Sequence, residues 1–549
     1  MELGGISIKN IKLNTNSSAR LIQICKIIAE YFKGSFGPKG LDKLLYDKFD
    51  NNILISSDGG TILEDLKEHI ELKLAKFILT YGKNIYDRNG DGVKTFYILL
   101  SEMLSIFQKL TEQGISRGII LESLDKIKEQ WIKFTQHSLL ERSREKILKN
   151  ERFLSSYFIS LIYGKFSNSN TKHIADLAVK ISCMLGNKPL AAWFDPKTFI
   201  QFQFLPGTFI TESKILNGCI ISKEPVNTTI IPGHSLLKPR ILAVKMKLYL
   251  DPPDGSESGH QGYEYDIKFK NGQDHNDFTK YMEDRSIKIV NNLLKLKPDL
   301  IITHKGINRD IESLLNKNDV LLIRRVKTDE FENLTRVLEI EAIGSINDIS
   351  DRNLGIAERL TYKKIGREKK ITIELPKNKK RAIGTVLIGG SQWIVCKQVK
   401  RGLLKLIYAY INLLRMPKIL YGGGNTELAF AQYLKKSLSS QNFRIKSNYK
   451  IIYCIQEILE GFYIIPSLLM ENAGINSKKG LSILISKYIN DVRNIGFNVI
   501  NLQIEDMRHA HVYDNFSAKN HLYLTLFESL KQIVRIDKII NKKSISKKS

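Results

Sequence analysis

Apolar residues recur every three to four positions through much of residues 1–150, which predicts a mostly helical opening. Leu21, Ile24, Cys25, Ile28 and Phe32 share one face, behind candidate N-caps between Asn14 and Ser18. That helix should stop at Gly34 to Pro38, where glycine and proline cannot continue it. Ile53 to Ile55 predicts a short strand, ended by an Asp58-Gly59-Gly60 turn, and Ile62, Leu63 and Leu66 predict a helix from about Thr61. After Gly90-Asp91-Gly92-Val93-Lys94-Thr95, an apolar pattern resumes at Phe96, Ile98, Leu99, Leu100, Met103, Leu104 and Phe107. It predicts a buried helix starting near Val93.

The pattern changes in the middle of the chain. Ile241–Leu250, Asp299–Thr303 and Val320–Arg325 read as strands, and Ile287–Leu296 and Asp329–Val337 as helices. That alternation implies an α/β layer. Between Asp251 and Asn276 the residues shift to Pro, Gly, Ser, His, Asp and charge, the composition of an exposed insertion.

A chain of 549 residues with 43% hydrophobic content can build several cores. The net charge of +27 is compatible with nucleic-acid or acidic-surface binding. The lysines are scattered, however, which places most on solvated faces; the one dense run is Lys542-Lys543 to Lys547-Lys548, which reads as a disordered end. The five cysteines are widely spaced and odd in number, which suggests reduced, buried thiols in a cytosolic protein. The N-terminus lacks a signal-peptide pattern, and no run of 18 or more apolar residues predicts a membrane span. His509 and His511 stand two apart without cysteine partners, a pattern of exposed histidines rather than of a zinc site.

The stretch Gly90 to Thr95 carries the most specific chemistry. A helix start offers unpaired N–H groups and the positive end of the helix dipole, and flanking glycines let a phosphate approach the backbone. Asp91 would repel phosphate, yet it can hold the Mg²⁺ that phosphate brings. The same hexapeptide also reads simply as a helix-entry turn. It is not a Walker A motif, because no Gly-Lys-Ser/Thr follows at the required spacing.

Three further stretches stand in company with it: Gly37-Pro38-Lys39-Gly40-Leu41-Asp42-Lys43, Ser57-Asp58-Gly59-Gly60-Thr61-Ile62-Leu63 and Gly422-Gly423-Gly424-Asn425-Thr426-Glu427. In this order they resemble the nucleotide site of the group II chaperonins, the thermosome and the eukaryotic cytosolic chaperonin TRiC/CCT. The resemblance runs along nearly the whole chain and includes His304-Lys305-Gly306-Ile307 and Arg324-Arg325-Val326. Asp506-Met507, His511-Val512, Val534-Arg535-Ile536-Asp537 and Tyr421 look most like the epsilon-type subunit of the eukaryotic complex.

The resemblance implies a multidomain α+β and α/β fold: a helical equatorial domain in two halves (1–150 and 401–549), an intermediate domain (151–215 and 371–400) and an α/β apical domain (216–370) that faces substrate, with a lid protrusion at about 247–285. It implies ATP or ADP with Mg²⁺ as cofactors, related subunits in a hetero-oligomeric double ring and unfolded client proteins as partners, a cytoplasmic location, and neither a membrane nor a nucleic acid as partner. Carried over residue by residue, Asp91 matches the Mg²⁺ ligand and Asp58 an aspartate near the attacking water. Gly37 and Pro38 match a loop against the nucleotide, with the Gly37 backbone on phosphate; Gly92, Val93, Lys94, Thr95 and Gly423 match further nucleotide-binding positions, and Asn498 and Asp514 fall near the adenosine. Lys165 matches a lysine near the phosphates, although a solvated lysine fits that short match nearly as well.

Two departures qualify this. Val93 and Lys94 replace hydroxyl residues that bond phosphate in the family, and Asn498 stands where the family usually has Asp. More consequentially, a third acidic position is expected five residues after Lys400, and that residue is Lys405. An ammonium cannot accept the proton of an attacking water. Nucleotide binding with slow or absent hydrolysis is therefore the expected behaviour. A non-hydrolysing scaffold or assembly factor is the second reading. A basic nucleic-acid binder is the third, and it needs a continuous basic face that scattered lysines do not supply.

Overall fold

The computed structural model describes residues 2–3, 6–7, 17–46, 53–70, 72–137, 140–141, 150–191, 194–226, 232–248, 272–365, 368–376, 384–440, 448–489 and 494–537. Most of the expected insertion (249–271), the N-cap candidates at 14–16 and the basic tail lie outside these residues. The chain folds as two compact units, Met1–Val179 with Arg401–Ser549, and Lys180–Lys400.

The first unit is built around the helix Val93–Glu112, whose residues Val93, Phe96, Tyr97, Ile98, Leu99, Leu100, Met103, Leu104, Ile106, Phe107 and Leu110 are all buried. A helix apolar on most of its circumference has to be enclosed. Here Ser17–Lys33, Lys73–Asn89, Tyr449–Gly461, Ile464–Asn472 and Phe516–Arg535 pack around it. Trp131, on the helix Arg117–His137, stacks among Phe134, Phe430 and Tyr523, and its indole N–H donates to Asn520 Oδ1 at 2.9 Å. Tyr449–Asn472 is long and apolar enough to cross a membrane by composition alone. It breaks into two helices, however, and Ile451, Cys454, Ile455, Ile458 and Leu459 are buried in this core.

The strand expected at Ile53 to Ile55 forms, at Ile53–Ser56, and pairs antiparallel with Lys43–Tyr46. That partner has no periodic signal because Leu44 points to solvent. Antiparallel pairing of Lys418–Tyr421 with Tyr513–Asn515 sets Leu420 opposite Asp514.

In the second unit, three parallel strands (Leu321–Ile323, Leu300–Thr303, Arg240–Val244) and an antiparallel edge strand (Leu354–Ile356) form one sheet in that order. Successive side chains point to opposite faces. Leu242, Val244, Ile301 and Leu322 pack on one side with Val290, Leu293, Ile311 and Leu315. Ile241, Ala243, Leu300, Ile302 and Leu321 pack on the other with Phe331, Leu334 and Val337. Covering on both faces explains the near-continuous apolar runs of these strands.

Two expectations here need correction. The strand expected over Ile241–Leu250 ends at Val244, because the Lys245 N–H turns to the Ile343 carbonyl. The helix expected from Ile287 begins at Gly272, and its early turns carry no apolar face to read, with Tyr281 exposed. A separate sheet joins Gln201–Pro206 in parallel to Thr385–Gly390, segments far apart in sequence. Of the cysteines, four are buried, but Cys183 is exposed, contrary to expectation.

Candidate functional site

Four loops of the first unit converge. Asp58 caps the helix Gly59–His69, its Oδ2 accepting from both the N–H and the hydroxyl of Thr61 at 3.1 Å. Gly59 lies directly against the next helix start: a Cβ there would sit 2.9 Å from Lys94 Cγ and 3.4 Å from the Lys94 nitrogen. Gly90 and Gly92, at φ 70° and 99°, turn the chain into the helix Val93–Glu112 through a left-handed conformation that glycine adopts without strain. No side chain caps this helix. The N–H groups of Val93, Lys94 and Thr95, in its first turn, have no partner within the helix.

Gly164 brings in the third loop. At φ 79°, its missing Cβ would lie 2.2 Å from the Pro38 carbonyl oxygen, so the Gly37-Pro38 loop and the loop carrying Lys165 touch. Asn472 secures the Gly37-Pro38 side by donating to the carbonyls of Lys33 (2.9 Å) and Phe36 (2.8 Å). A fifth contribution is Lys405, on the long helix Trp393–Arg415.

The charged groups of these loops are paired. Lys405 Nζ lies 2.5 Å from Asp91 Oδ2, and Asp91 Oδ1 accepts from the Gly92 N–H at 2.8 Å. Lys165 Nζ lies 3.6 Å from Asp58 Oδ1. Lys94 donates to the Ser35 carbonyl. Desolvation opposes ionisation of Asp91, but Lys405 and then Lys165 outweigh it and hold the carboxyl at about 2. Asp58 is likewise lowered against desolvation, chiefly by Lys165. Desolvation and then Lys165 push Lys94 down to about 7. Desolvation and Lys405 lower Lys165, whereas Lys405, opposed by burial, is raised by Asp91.

The Asp91 pair has a consequence in acid. The unfolded carboxyl binds its proton near pH 4 and the folded one only near pH 2. The pair's contribution to stability is therefore complete above pH 4 and is lost as the pH falls through about 2. Asp91→Asn should flatten this part of the stability profile, as followed by denaturant midpoints between those limits. An unchanged acid limb would show that the pair contributes nothing.

A second cluster adjoins the first. Gly423 and Gly424, at φ 65° and 75°, lead into the helix Asn425–Ser439. A Cβ on Gly423 would lie 2.7 Å from the Phe497 carbonyl, so this turn is pressed against the strand carrying Asn498. The Asn498 side chain bonds Glu505 Oε1 at 2.5 Å and accepts from the Ile500 N–H at 2.9 Å. Asp514 pairs with Lys519 at 2.7 Å, and Lys519 also reaches the fully buried Glu427 at 2.8 Å. Asn515, next to Asp514, donates to the Ala409 carbonyl at 3.1 Å on the helix that carries Lys405, which places the clusters side by side.

The structure thus brings together Gly37, Pro38, Asp58, Asp91, Gly92, Val93, Lys94, Lys165 and Lys405, and beside them Gly423, Asn498 and Asp514. Thr95 follows in the same first turn. Sequence reasoning missed Lys519, one scattered lysine among many, and the bracing by Asn472 and Ser35. It named Glu427 only as part of a motif. His509 is exposed, and His511 Nδ1 lies 3.0 Å from the Tyr513 hydroxyl. No group of three or more metal-ligating side chains occurs among the described residues.

Residues 28–544 match the TCP-1/cpn60 chaperonin family, and the chain belongs to that family of protein-folding chaperones. It is 26% identical to the thermosome subunit alpha of Aeropyrum pernix over 527 residues, covering 94% of this chain and 90% of the relative. A thermosome subunit of Pyrococcus abyssi is 26% identical, with 96% and 91% covered. The beta subunit of the Thermococcus kodakarensis thermosome is 24% identical, with 96% and 92% covered. The multidomain architecture of helical and α/β parts agrees with this membership.

Proposed function

We propose that this chain is a nucleotide-binding subunit of a hetero-oligomeric, double-ring cytosolic chaperonin, with slow or absent hydrolysis at its own site. Residues 1–150 and 401–549 would form its equatorial domain, 151–215 and 371–400 the intermediate domain, and 216–370 the apical domain that binds unfolded clients. Nucleotide bound at the equatorial site would bias the apical domain between open and closed positions. Among subunit types the chain reads as epsilon-like, from the C-terminal motifs and Tyr421.

The observation that carries the reading is the Lys405–Asp91 ion pair beside the glycine-flanked start of the helix Val93–Glu112. This cradle supports binding of ATP or ADP. Lys405 supports weak turnover, because it brings an ammonium where water activation needs a carboxylate. The same residue favours the second reading, a non-hydrolysing scaffold or assembly factor acting outside a ring. The native mass and composition of what co-purifies with the chain from its own cell separate the two. A particle of double-ring size containing several related chains is the expected result. A monomer or small complex would replace the ring reading with the scaffold.

A further inference from the structure

The carboxylates on which a divalent cation would rest are already neutralised by the chain itself. One oxygen of Asp91 faces Lys405 Nζ at 2.5 Å and the other accepts from the Gly92 N–H. Asp58 divides its oxygens between Lys165 and Thr61. Lys94 lies within electrostatic reach of Asp58, Asp91, Lys165 and Lys405. Three lysines therefore confront two aspartates. Mg²⁺ takes oxygen ligands in near-octahedral geometry and dehydrates reluctantly. To take the Asp91 oxygen that faces Lys405 it would have to displace an ammonium whose side chain is only 14% exposed, and then sit in the field of Lys165. As it stands, this donor set does not fit the ion.

A polyphosphate meets the opposite balance. It brings the negative charge that the cluster lacks, and it is complementary to the N–H groups at the helix start. Lys405 already places a positive charge against Asp91, 2.5 Å from its Oδ2. An ammonium there is a fixed single charge that needs no octahedral shell and cannot be chelated away.

We propose that this site takes a nucleotide polyphosphate without a divalent metal, Lys405 supplying beside Asp91 the positive charge that the cation would otherwise bring. The inference rests on the nucleotide-binding reading above and specifies its ligand as the metal-free nucleotide. It also gives Asp91 a different role: the counter-charge of Lys405 instead of the holder of an ion.

The test is calorimetric titration of the purified full-length chain with ADP, once in excess EDTA and once in excess MgCl₂. Excess MgCl₂ chelates most of the ADP, so the wild type should bind no more tightly there than in EDTA, and more weakly in proportion to the free ADP that remains. Asp91→Asn should bind ADP in EDTA as well as the wild type or more tightly, since it removes a negative charge from the phosphate site. In MgCl₂ the variant should likewise bind no more weakly than the wild type, whereas loss of a metal ligand at this position would cost about tenfold or more there. Lys405→Asp should lose affinity in EDTA and regain it with MgCl₂. Paramagnetic resonance of free Mn²⁺ reads the metal directly: the wild type should leave the free-ion signal of a Mn²⁺–ADP solution undiminished or raise it by withdrawing ADP, and Lys405→Asp should deplete it. Should Lys405→Asp fail to fold, Lys405→Met serves, with weaker binding in EDTA expected. Tenfold weaker wild-type binding in EDTA, or weakened binding by Asp91→Asn, would overturn the metal-free inference and leave the nucleotide-binding reading standing. Absence of binding in both buffers would overturn both.

Discussion

Lys405→Asp is expected to raise single-turnover hydrolysis of ATP by at least about 100-fold, the lower end of what a positioned general base contributes. In the folded chain Lys405 sits at the phosphate cradle, paired with Asp91 and within the field of Asp58 and Asp514. Its pKa is raised by these carboxylates, so at neutral pH it stays charged and offers no lone pair to a water. An aspartate at the same helix position adds a carboxylate and simultaneously releases Asp91 from its ion pair. Both changes act in the same direction, which is why one substitution should have so large an effect. Lys405→Met separates them: it releases Asp91 but adds no base, and it should recover little of the rate. The measurement is a single-turnover assay with radiolabelled ATP in MgCl₂. Rates for Lys405→Asp that remain at the wild-type level would show that the cradle lacks more than one carboxylate. Fast turnover by the wild type would contradict the proposed role of Lys405.

The largest loss of stability is expected from Glu427→Ala. Glu427 is fully buried in the first turn of the helix that follows the triple glycine. Its Oε1 accepts from Lys519 at 2.8 Å and from the Tyr523 hydroxyl at 2.9 Å. Truncation leaves the Lys519 ammonium in a low-dielectric pocket with Asp514 as its remaining carboxylate, and strands the Tyr523 hydroxyl. Removing one partner of a buried ion pair typically costs about 3–5 kcal/mol. Glu427→Gln keeps an acceptor for Tyr523 and fills the same volume, so it should cost distinctly less. Denaturant unfolding of both variants checks the order. Equal, small losses would mean that Asp514 alone satisfies Lys519. Because Asp514 borders the glycine turn, Glu427→Ala should also weaken nucleotide binding, through displacement of this wall of the site.

Much of the local structure is determined by the sequence alone, because its causes are local. The apolar run after Thr95 has one outcome, an enclosed helix, and Gly90 and Gly92 mark its start because only a left-handed turn leads into it. The alternation of runs between 241 and 337 announces the covered parallel sheet. Ordered glycine and aspartate motifs likewise pointed to the family that residues 28–544 match. Where periodicity is silent, so is the sequence: Tyr281 in the helix Gly272–Leu294 and Leu44 in the strand Lys43–Tyr46 are exposed and leave no pattern.

Tertiary structure decided the pairings. Asp58 with Lys165, Asp91 with Lys405, and Asp514 with Lys519 and Glu427 join residues separated by up to several hundred positions. A scattered lysine carries no mark of its future partner, since an exposed lysine and one folded against a carboxylate look identical along the chain. The sequence could place a lysine where an acid was expected. Only the folded chain shows it bonded to Asp91, because the strength of an ion pair depends on distance and burial, and neither exists until the loops have come together.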